Sequence, residues 1–376
     1  MRVALVHDWL TGMRGGEKVL SLICQRFPNA DLFTLIYIPG SCDGCIEERS
    51  IRTSFLNAFP RVGRYYRYLL PLMPFAMEQL SAGRYDLIIS SSHCVAKGIG
   101  RSPGSFHLCY CHTPMRYVWD PFPAYVDRMS VASFALRAAR RYLRAWDRRT
   151  ASRVDAFVAN SQTVAHRIWR VYRRRARVVY PPVDTAFYTS AGRTPQDFYL
   201  MVTALVPYKR VDQAIEAFNN LGRPLRIIGS GPLRKKLEPL AKSNVTFLGW
   251  QTDEVLREHY RSCRALVFPG EEDFGVTPVE AMACGAPVIA YGAGGVTETV
   301  LDMDGVNPAG PTGLWYRPQT AEALAEAVCR FEQLEKRFQP DRSSAWANRF
   351  GQERFLKEFN LVLEETLEGR GLRYDA

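Results

Sequence analysis

No run in the 376-residue sequence approaches the roughly 18 consecutive apolar residues of a membrane-spanning helix. The most apolar stretch, Tyr68–Met77, is broken by Pro71 and Pro74. The opening MRVALVHDWL carries Arg2, His7 and Asp8 and has no apolar h-region, which argues against a signal peptide. The nine cysteines form no framework: Cys42 and Cys45 have CxxC spacing, but no second Cys/His pair of zinc-site spacing accompanies them. A surface turn in a reducing cytoplasm is therefore expected there, not a metal site. Internal repeats and low-complexity tracts are absent, the arginine run Arg173–Arg177 aside. With 47% hydrophobic, 12% aromatic and 23% charged residues, the composition excludes disordered, collagen-like and coiled-coil classes. At roughly 150 residues per domain, the length predicts two domains.

Acidic residues are scarce in the first half. Residues 1–190 hold 27 Lys+Arg, mostly arginine, against 13 Asp+Glu, whereas the remainder holds 22 against 25. The formal charge of +11 thus resides in the first half and points to an anionic partner: nucleic acid, a membrane surface or a phosphorylated substrate. Two segments carry much of it. Arg61, Arg64 and Arg67 alternate with Tyr65, Tyr66 and Tyr68 ahead of the apolar Leu69–Met77. Arg137, Arg140, Arg141, Arg144, Arg148 and Arg149 follow at helical spacing, with Phe134, Leu136, Tyr142, Leu143 and Trp146 among them. Basic-aromatic interleaving suits an anionic bilayer interface, nucleic acid, or a solvated helix face.

Short apolar runs alternate with helix-period segments, the pattern of βαβ units and a parallel sheet. Strands are expected at Val3–Val6, Leu32–Ile36, Leu87–Ser90, Phe106–Cys111 and Ala156–Ala159. Helical patterns Gly16–Arg26 and Ala132–Val154 lie among them. A second series follows at Phe198–Val202, Leu225–Ile228, Val245–Phe247, Ala265–Phe268 and Pro287–Ala290. Its helices are Val211–Asn220, Leu233–Lys242, Asp253–Ser262, Pro278–Cys284 and Ala321–Gln333, with a final helix near Ala345–Leu367. The seam is YPPVDTAFYTSAGRTPQ, Tyr180–Gln196, with three prolines and little periodicity. Two doubly wound domains, 1–183 and 184–355, are expected, with residues 356–376 returning to the first. A ligand would sit at the carboxyl ends of the strands.

The turn after the first strand reads HDWLTGMRGGEKV. Gly15 and Gly16 permit close backbone approach ahead of a helix N-terminus, which suits phosphate and equally suits a tight turn. A denser signal is PGEEDFGVTPVEAMACGAPVIAYGAGGVTETV, from Pro269 to Val300. Glu272 falls in the loop after a strand and Glu280 in the helix that follows, with seven residues between them. Carboxylates there suit sugar and ribose hydroxyls, and the amides of Asp273, Phe274 and Gly275 could hold phosphate oxygens. Ala293-Gly294-Gly295 would allow another close backbone approach.

GEEDFGVTPVEAMACGAPVIAYGAGGVTE resembles the signature of family 4 retaining glycosyltransferases, including its Glu-x7-Glu pair. RGGEKV, CHTPMRYVWD (Cys111–Asp120), ANSQTVAHRI (Ala159–Ile168) and VPYKRVDQAIEAF (Val206–Phe218) extend the resemblance in the same order. Within that family the chain looks closest to mannosyltransferases of bacterial surface polysaccharides. The resemblance implies a GT-B fold, two Rossmann-like domains facing a central cleft. It implies that Glu272 contacts the donor hexose and that Glu280 binds the ribose. Lys209, Arg210, Gly16 and the segment Phe274, Gly275, Val276 and Thr277 would serve the donor diphosphate. His112 would lie near the reacting sugar, and Gly249-Trp250 would form the turn facing the base.

The arginine that relatives often carry five residues before this lysine is Ala204 here. The implied reaction is transfer of a hexose, mannose from GDP-mannose, to a lipid-linked oligosaccharide at the inner face of the cell membrane. UDP-sugar transfer, a sugar-nucleotide epimerase and, remotely, a nucleic-acid-binding protein are the alternatives. No metal, Asp-x-Asp site or other cofactor is expected.

Overall fold

The computed structural model describes the backbone of residues 1–119 and 131–369 and the side chains of residues 1–119 and 139–369. Asp120 and the side chains of Phe134, Leu136 and Arg137 lie outside the described residues. The chain divides into two compact units, residues 1–181 with the chain from Phe355 onward, and Pro182–Arg354.

In the first unit the strands are Val3–His7 (β1), Asp31–Thr34 (β2), Ile51–Thr53 (β3), Leu87–Ser92 (β4), Phe106–Cys111 (β5), Ala156–Ala159 (β6) and Ala176–Val178 (β7). They form one sheet in the order β3-β2-β1-β4-β5-β6-β7, every neighbouring pair parallel. Strands β1, β4 and β5 are buried along their whole length, the property of a parallel sheet covered on both faces. β3 and β7 escape the sequence pattern because they are three-residue edge strands, too short to show a period.

The sheet is covered by two apolar layers. One joins Val19, Leu20 and Ile23 of the helix Gly15–Arg26 to Phe355, Phe359 and Leu363 of the final helix, Gln352–Glu368. The other brings Leu143 and Trp146, from the helix Val131–Ala151, against Val6, Trp9 and Phe33. A buried ion pair, Lys97 with Asp147, fastens that layer. Asp147 also accepts the Trp119 indole N–H at 2.6 Å and the Tyr172 hydroxyl at 2.8 Å, so the charge pair is hydrogen-bonded as burial requires.

The second unit repeats the plan with Tyr199–Val202 (β8), Leu225–Ile228 (β9), Val245–Gly249 (β10), Leu266–Phe268 (β11), Val288–Tyr291 (β12) and Gly313–Tyr316 (β13). Their order is β10-β9-β8-β11-β12-β13, again all parallel.

Three helices differ from the sequence expectation. The segment expected at 233–242 is helical only over Arg234–Leu237 and then tightens into a 3-10 turn, Glu238–Leu240, around Pro239, which lacks an N–H. The helix expected from Pro278 begins at Val276. The final run expected from 345 is two helices, Pro340–Ala347 and Gln352–Glu368. Between them Gly351 is extended (φ −67°, ψ 165°) and bridges to Val183.

Phe359 is fully buried and lies 6.5 Å, centroid to centroid, from Tyr110 of β5. Phe359→Ala is expected to destabilise the first unit by about 3–5 kcal/mol, read as a lowered urea midpoint.

Candidate functional site

Each sheet extends in both directions from its first strand, so chains leaving β1 and β4, or β8 and β11, diverge at their carboxyl ends. Such switch points open a crevice edged by loops. The residues singled out by sequence gather at these two places, one set in each unit.

At the first switch point His7 ends β1, Ser91 lies near the end of β4, and His112 follows β5. Ser91 Oγ is 2.8 Å from His112 Nε2 and 3.1 Å from His7 Nδ1. His7 Nε2 is 3.7 Å from Oε1 of Glu17, which lies in the first turn of the helix Gly15–Arg26. A Cβ on Gly16 would sit 3.6 Å from both His112 Nε2 and His7 Cε1, so this glycine is in contact range of both imidazoles.

Asp8 is wholly buried and accepts four backbone N–H groups: His93 at 2.7 Å and Cys94 at 3.0 Å on one oxygen, Val95 at 2.6 Å and Ala96 at 2.7 Å on the other. The same carboxylate pairs with His93 Nδ1 at 3.0 Å. Burial alone would raise the Asp8 pKa, but the His93 charge and hydrogen bonds more than offset it and hold the carboxyl well below the usual range. Burial likewise opposes charge on His93, and the Asp8 carboxylate reverses this and raises it. His112 has no such partner: burial, then the nearby His93 and His7, push its imidazole down to about 3. His112 is thus a neutral imidazole at neutral pH.

Three of the six histidines in the chain meet here. Sequence reasoning named His112 and left His93, Ser91 and Glu17 aside. The available signal was SSSHC, a polar end on a buried strand.

At the second switch point Lys209 follows β8 and Glu272 follows β11, and the two form an ion pair. Backbone proximity sets this geometry. A Cβ on Gly270 would lie 3.0 Å from Lys209 Cα, so the loops nearly touch. A Cβ on Gly294 would meet the Glu272 carbonyl oxygen at 2.4 Å, and one on Gly295 would meet Phe274 Cα at 2.3 Å. Gly295 N–H also donates to the Glu272 carbonyl at 2.8 Å. The close approach expected of Ala293-Gly294-Gly295 is therefore to the protein's own 272–274 loop.

Gly275 turns the chain with φ 86° into the helix Val276–Ala283, whose first N–H groups, on Val276 and Thr277, precede Pro278. Phe274 is buried, with its ring centroid 5.6 Å from that of Phe350. Glu280 is in the second turn of that helix and buried, with Oε2 accepting the Tyr260 hydroxyl at 3.0 Å.

Arg210 and the Gly249-Trp250 turn complete the expected set in the second unit. Arg210 adopts φ 53° and directs its guanidinium to Asp212 at 3.1 Å. Gly249-Trp250 ends the edge strand β10, where a register shift after Phe247 turns the chain and leaves Trp250 74% exposed. Ala204 is exposed on the loop after β8. An Asp-x-Asp triplet does occur, contrary to expectation, at Asp302-Met303-Asp304. Asp302 accepts the Trp315 N–H at 2.8 Å and Asp304 binds the Arg330 guanidinium, so both carboxylates have structural partners. Among the described residues, no group of three His, Cys, Asp or Glu is placed to hold a metal ion.

The two basic segments also part ways. Arg140 and Arg144 donate to the Val118 carbonyl at 2.9 and 2.8 Å, Arg144 and Arg148 stack on Trp119, and Arg149 pairs with Glu78 at 3.0 Å. Arg140, Arg144, Arg148 and Arg149 thus have partners within the unit, while Arg148 and Arg149 remain exposed. Arg61, Arg64 and Arg67 are exposed beside Phe55, Phe59, Tyr68, Leu72 and Phe75, which are exposed as well.

Residues 187–347 match the family model of Glycosyl transferases group 1, and residues 13–187 match that of Glycosyltransferase Family 4. An uncharacterized glycosyltransferase of Methanocaldococcus jannaschii is 29% identical over 219 residues, 56% of this chain and 60% of the relative. A GDP-mannose-dependent alpha-mannosyltransferase of Mycolicibacterium smegmatis is 34% identical over 210 residues, 49% of this chain and 54% of the relative. The chain therefore spans a little over half the length of these relatives.

Sucrose-phosphate synthase from Thermosynechococcus elongatus superposes with a TM-score of 0.71 at 17% identity, covering 98% of this chain and 100% of that one. Anabaena HepE in complex with UDP-glucose gives 0.67 at 19% identity, covering 97% and 100%. The fold is GT-B, with two Rossmann-like parallel-sheet units. Among the described residues no helix is long and apolar enough to cross a membrane.

Asp8 contributes stability above its unfolded pKa of about 4, which is lost as pH falls through the depressed folded value. His93 contributes below about 6.5 and loses its contribution as pH rises through its raised folded value. Asp8→Asn is expected to cost about 3–5 kcal/mol between about pH 4 and 6.5 and to flatten the acid-side decline, measured by urea unfolding across pH.

Proposed function

We propose that this chain, a member of the glycosyltransferase families matched by its two units, transfers mannose from GDP-mannose to a lipid-linked oligosaccharide with retention of anomeric configuration, in the assembly of a bacterial surface polysaccharide. The observation that carries this reading is the Lys209–Glu272 ion pair at the β8/β11 switch point, with Glu280 in the helix that follows. The GDP-mannose-dependent relative supports the choice of donor.

In this reading Lys209 and the amides of Phe274, Gly275, Val276 and Thr277 hold the diphosphate, where charge grows as the sugar leaves. Glu272 orients the hexose and stabilises positive charge at C1. Glu280 receives the ribose hydroxyls, exchanging part of its hydrogen bonding with Tyr260 for them. The Gly249-Trp250 turn faces the base. From the first unit, His112 contacts the reacting sugar and Gly16 lends its backbone to the diphosphate. Arg210 serves the same diphosphate, exchanging its exposed contact with Asp212 for it.

The C1–oxygen bond to the diphosphate breaks and the acceptor oxygen bonds C1 on the same face. The acceptor's proton passes to the leaving phosphate oxygen, so no separate general base is needed. The acceptor is presented at an anionic cytoplasmic membrane face, with Arg61, Arg64 and Arg67 and the exposed aromatic side chains beside them as the contact.

Glu272→Ala is expected to lower kcat by about 100-fold or more while leaving the thermal unfolding profile of the free protein intact. Ordinary turnover in that variant would remove the residue from the site. A nucleotide present at 100 times its Kd should stabilise the fold by about 2.7 kcal/mol. GDP and GDP-mannose are expected to give the larger thermal shift; a larger response to UDP-sugars would move the donor to that class. Replacing Arg61, Arg64 and Arg67 with serine should reduce sedimentation with anionic vesicles severalfold and spare nucleotide binding. Unchanged sedimentation would leave these arginines as a solvated surface.

A further inference from the structure

Behind His112 runs a line of polar groups that the transfer chemistry leaves unused. Its order is Glu17, His7, Ser91, His112, with separations of 3.7, 3.1 and 2.8 Å. Glu17, His7 and Ser91 are buried, and they come from one helix and two different strands. Ser91 has one hydroxyl proton and two imidazole nitrogens to serve, so it can donate to one and must accept from the other.

The carboxylate at the far end decides which. Burial would raise the Glu17 pKa, but the imidazoles of His7 and His93 that face it more than offset this and lower it, so the carboxylate is ionised at neutral pH. When the His7 ring carries a single proton, an ionised carboxylate facing Nε2 keeps it there, which leaves Nδ1 as an acceptor. Ser91 then donates to His7 Nδ1, and its oxygen accepts from His112 Nε2–H. Two rings hold the imidazole plane, Tyr110 at 5.2 Å and His93 at 6.4 Å between centroids, and Asp8 anchors His93 in turn.

We propose that Glu17, His7 and Ser91 are positioning residues that fix His112 as its Nε2–H tautomer, leaving Nδ1 as a hydrogen-bond acceptor for a hydroxyl of the transferred sugar. The sugar contact rests on the reading of His112 given above; the direction of the proton line does not. A hexose hydroxyl donates to an unprotonated nitrogen, whereas the opposite tautomer would present an N–H and select an acceptor group instead.

The test is a long-range 1H–15N correlation spectrum of the full chain labelled in histidine, with His112 assigned by its loss in His112→Gln. The expected wild-type result is a protonated Nε2 and an unprotonated Nδ1. Ser91→Ala is expected to mix the two tautomers, and Ser91→Thr, which keeps the hydroxyl, to preserve the wild-type pattern. A wild-type His112 protonated on Nδ1 overturns the proposal, even if neither Ser91 variant folds. So does a spectrum unchanged in Ser91→Ala.

In transfer assays Ser91→Ala is expected to lower kcat about tenfold with little change in donor KM, and Ser91→Thr to recover most of it. A loss that Ser91→Thr fails to recover despite the native tautomer overturns the positioning role. If the wild-type chain transfers no sugar from GDP- or UDP-linked donors, yet His112 shows the expected tautomer and its response to Ser91→Ala, the functional reading fails while the proton line stands.

Discussion

A parallel sheet that extends both ways from its first strand has one place where neighbouring connections depart to opposite faces, and the chemistry of this chain depends on that geometry. At β1/β4 and at β8/β11 the diverging connections leave the strand ends uncovered by helices. Polar side chains at such ends have partners and ligands within reach. His7, Ser91 and His112 lie at the carboxyl ends of one sheet, and Lys209 and Glu272 just beyond those of the other.

The two units meet this constraint by different means. In the first, buried polar groups satisfy one another. Asp8 draws the 93–96 turn onto itself with four N–H donors and favours the charged form of His93, while His112 is held neutral only a ring's width away. Environments that push neighbouring titratable groups apart are a feature of reactive sites. In the second unit the scaffold is backbone against backbone. Gly270, Gly294 and Gly295 stand where any side chain would collide with the adjoining loop, so Glu272 and Lys209 are held by main chain. A half-buried cation–carboxylate pair built this way gives little net stability by itself. In the proposed function it exchanges these partners for a diphosphate and a sugar hydroxyl.

The charge asymmetry takes on a more definite meaning in three dimensions. Many arginines of the first unit are structural: Arg140 and Arg144 cap the carbonyl of Val118, Arg148 stacks on Trp119, and Arg174 donates to the carbonyls of Ala151 and Asp155. Arg61, Arg64 and Arg67 keep their charge facing solvent, next to exposed aromatic side chains. Net charge therefore overstates the attraction available to a partner, because a guanidinium bonded to helix-end carbonyls presents less of its field outward.

The sequence by itself determined the two parallel sheets, since buried strands read as apolar runs alternating with helical periods. It also determined the Glu272/Glu280 spacing and the lysine at 209, because these lie within single continuous segments. The edge strands β3, β7 and β13 were missed, because three or four residues at a sheet edge show neither a period nor a long apolar run. The break at Gly351 was hidden as well, because its cause is a bridge to Val183, far away in the chain. Only the tertiary structure decided that Arg210 turns to Asp212, that Gly294 and Gly295 serve the 272–274 loop, and that Glu17, His7, Ser91 and His112 form one line. The physical reason is the same in each case. A side chain's role follows from which strand ends the sheet order brings together, and that order is set by crossovers between segments that no local pattern connects.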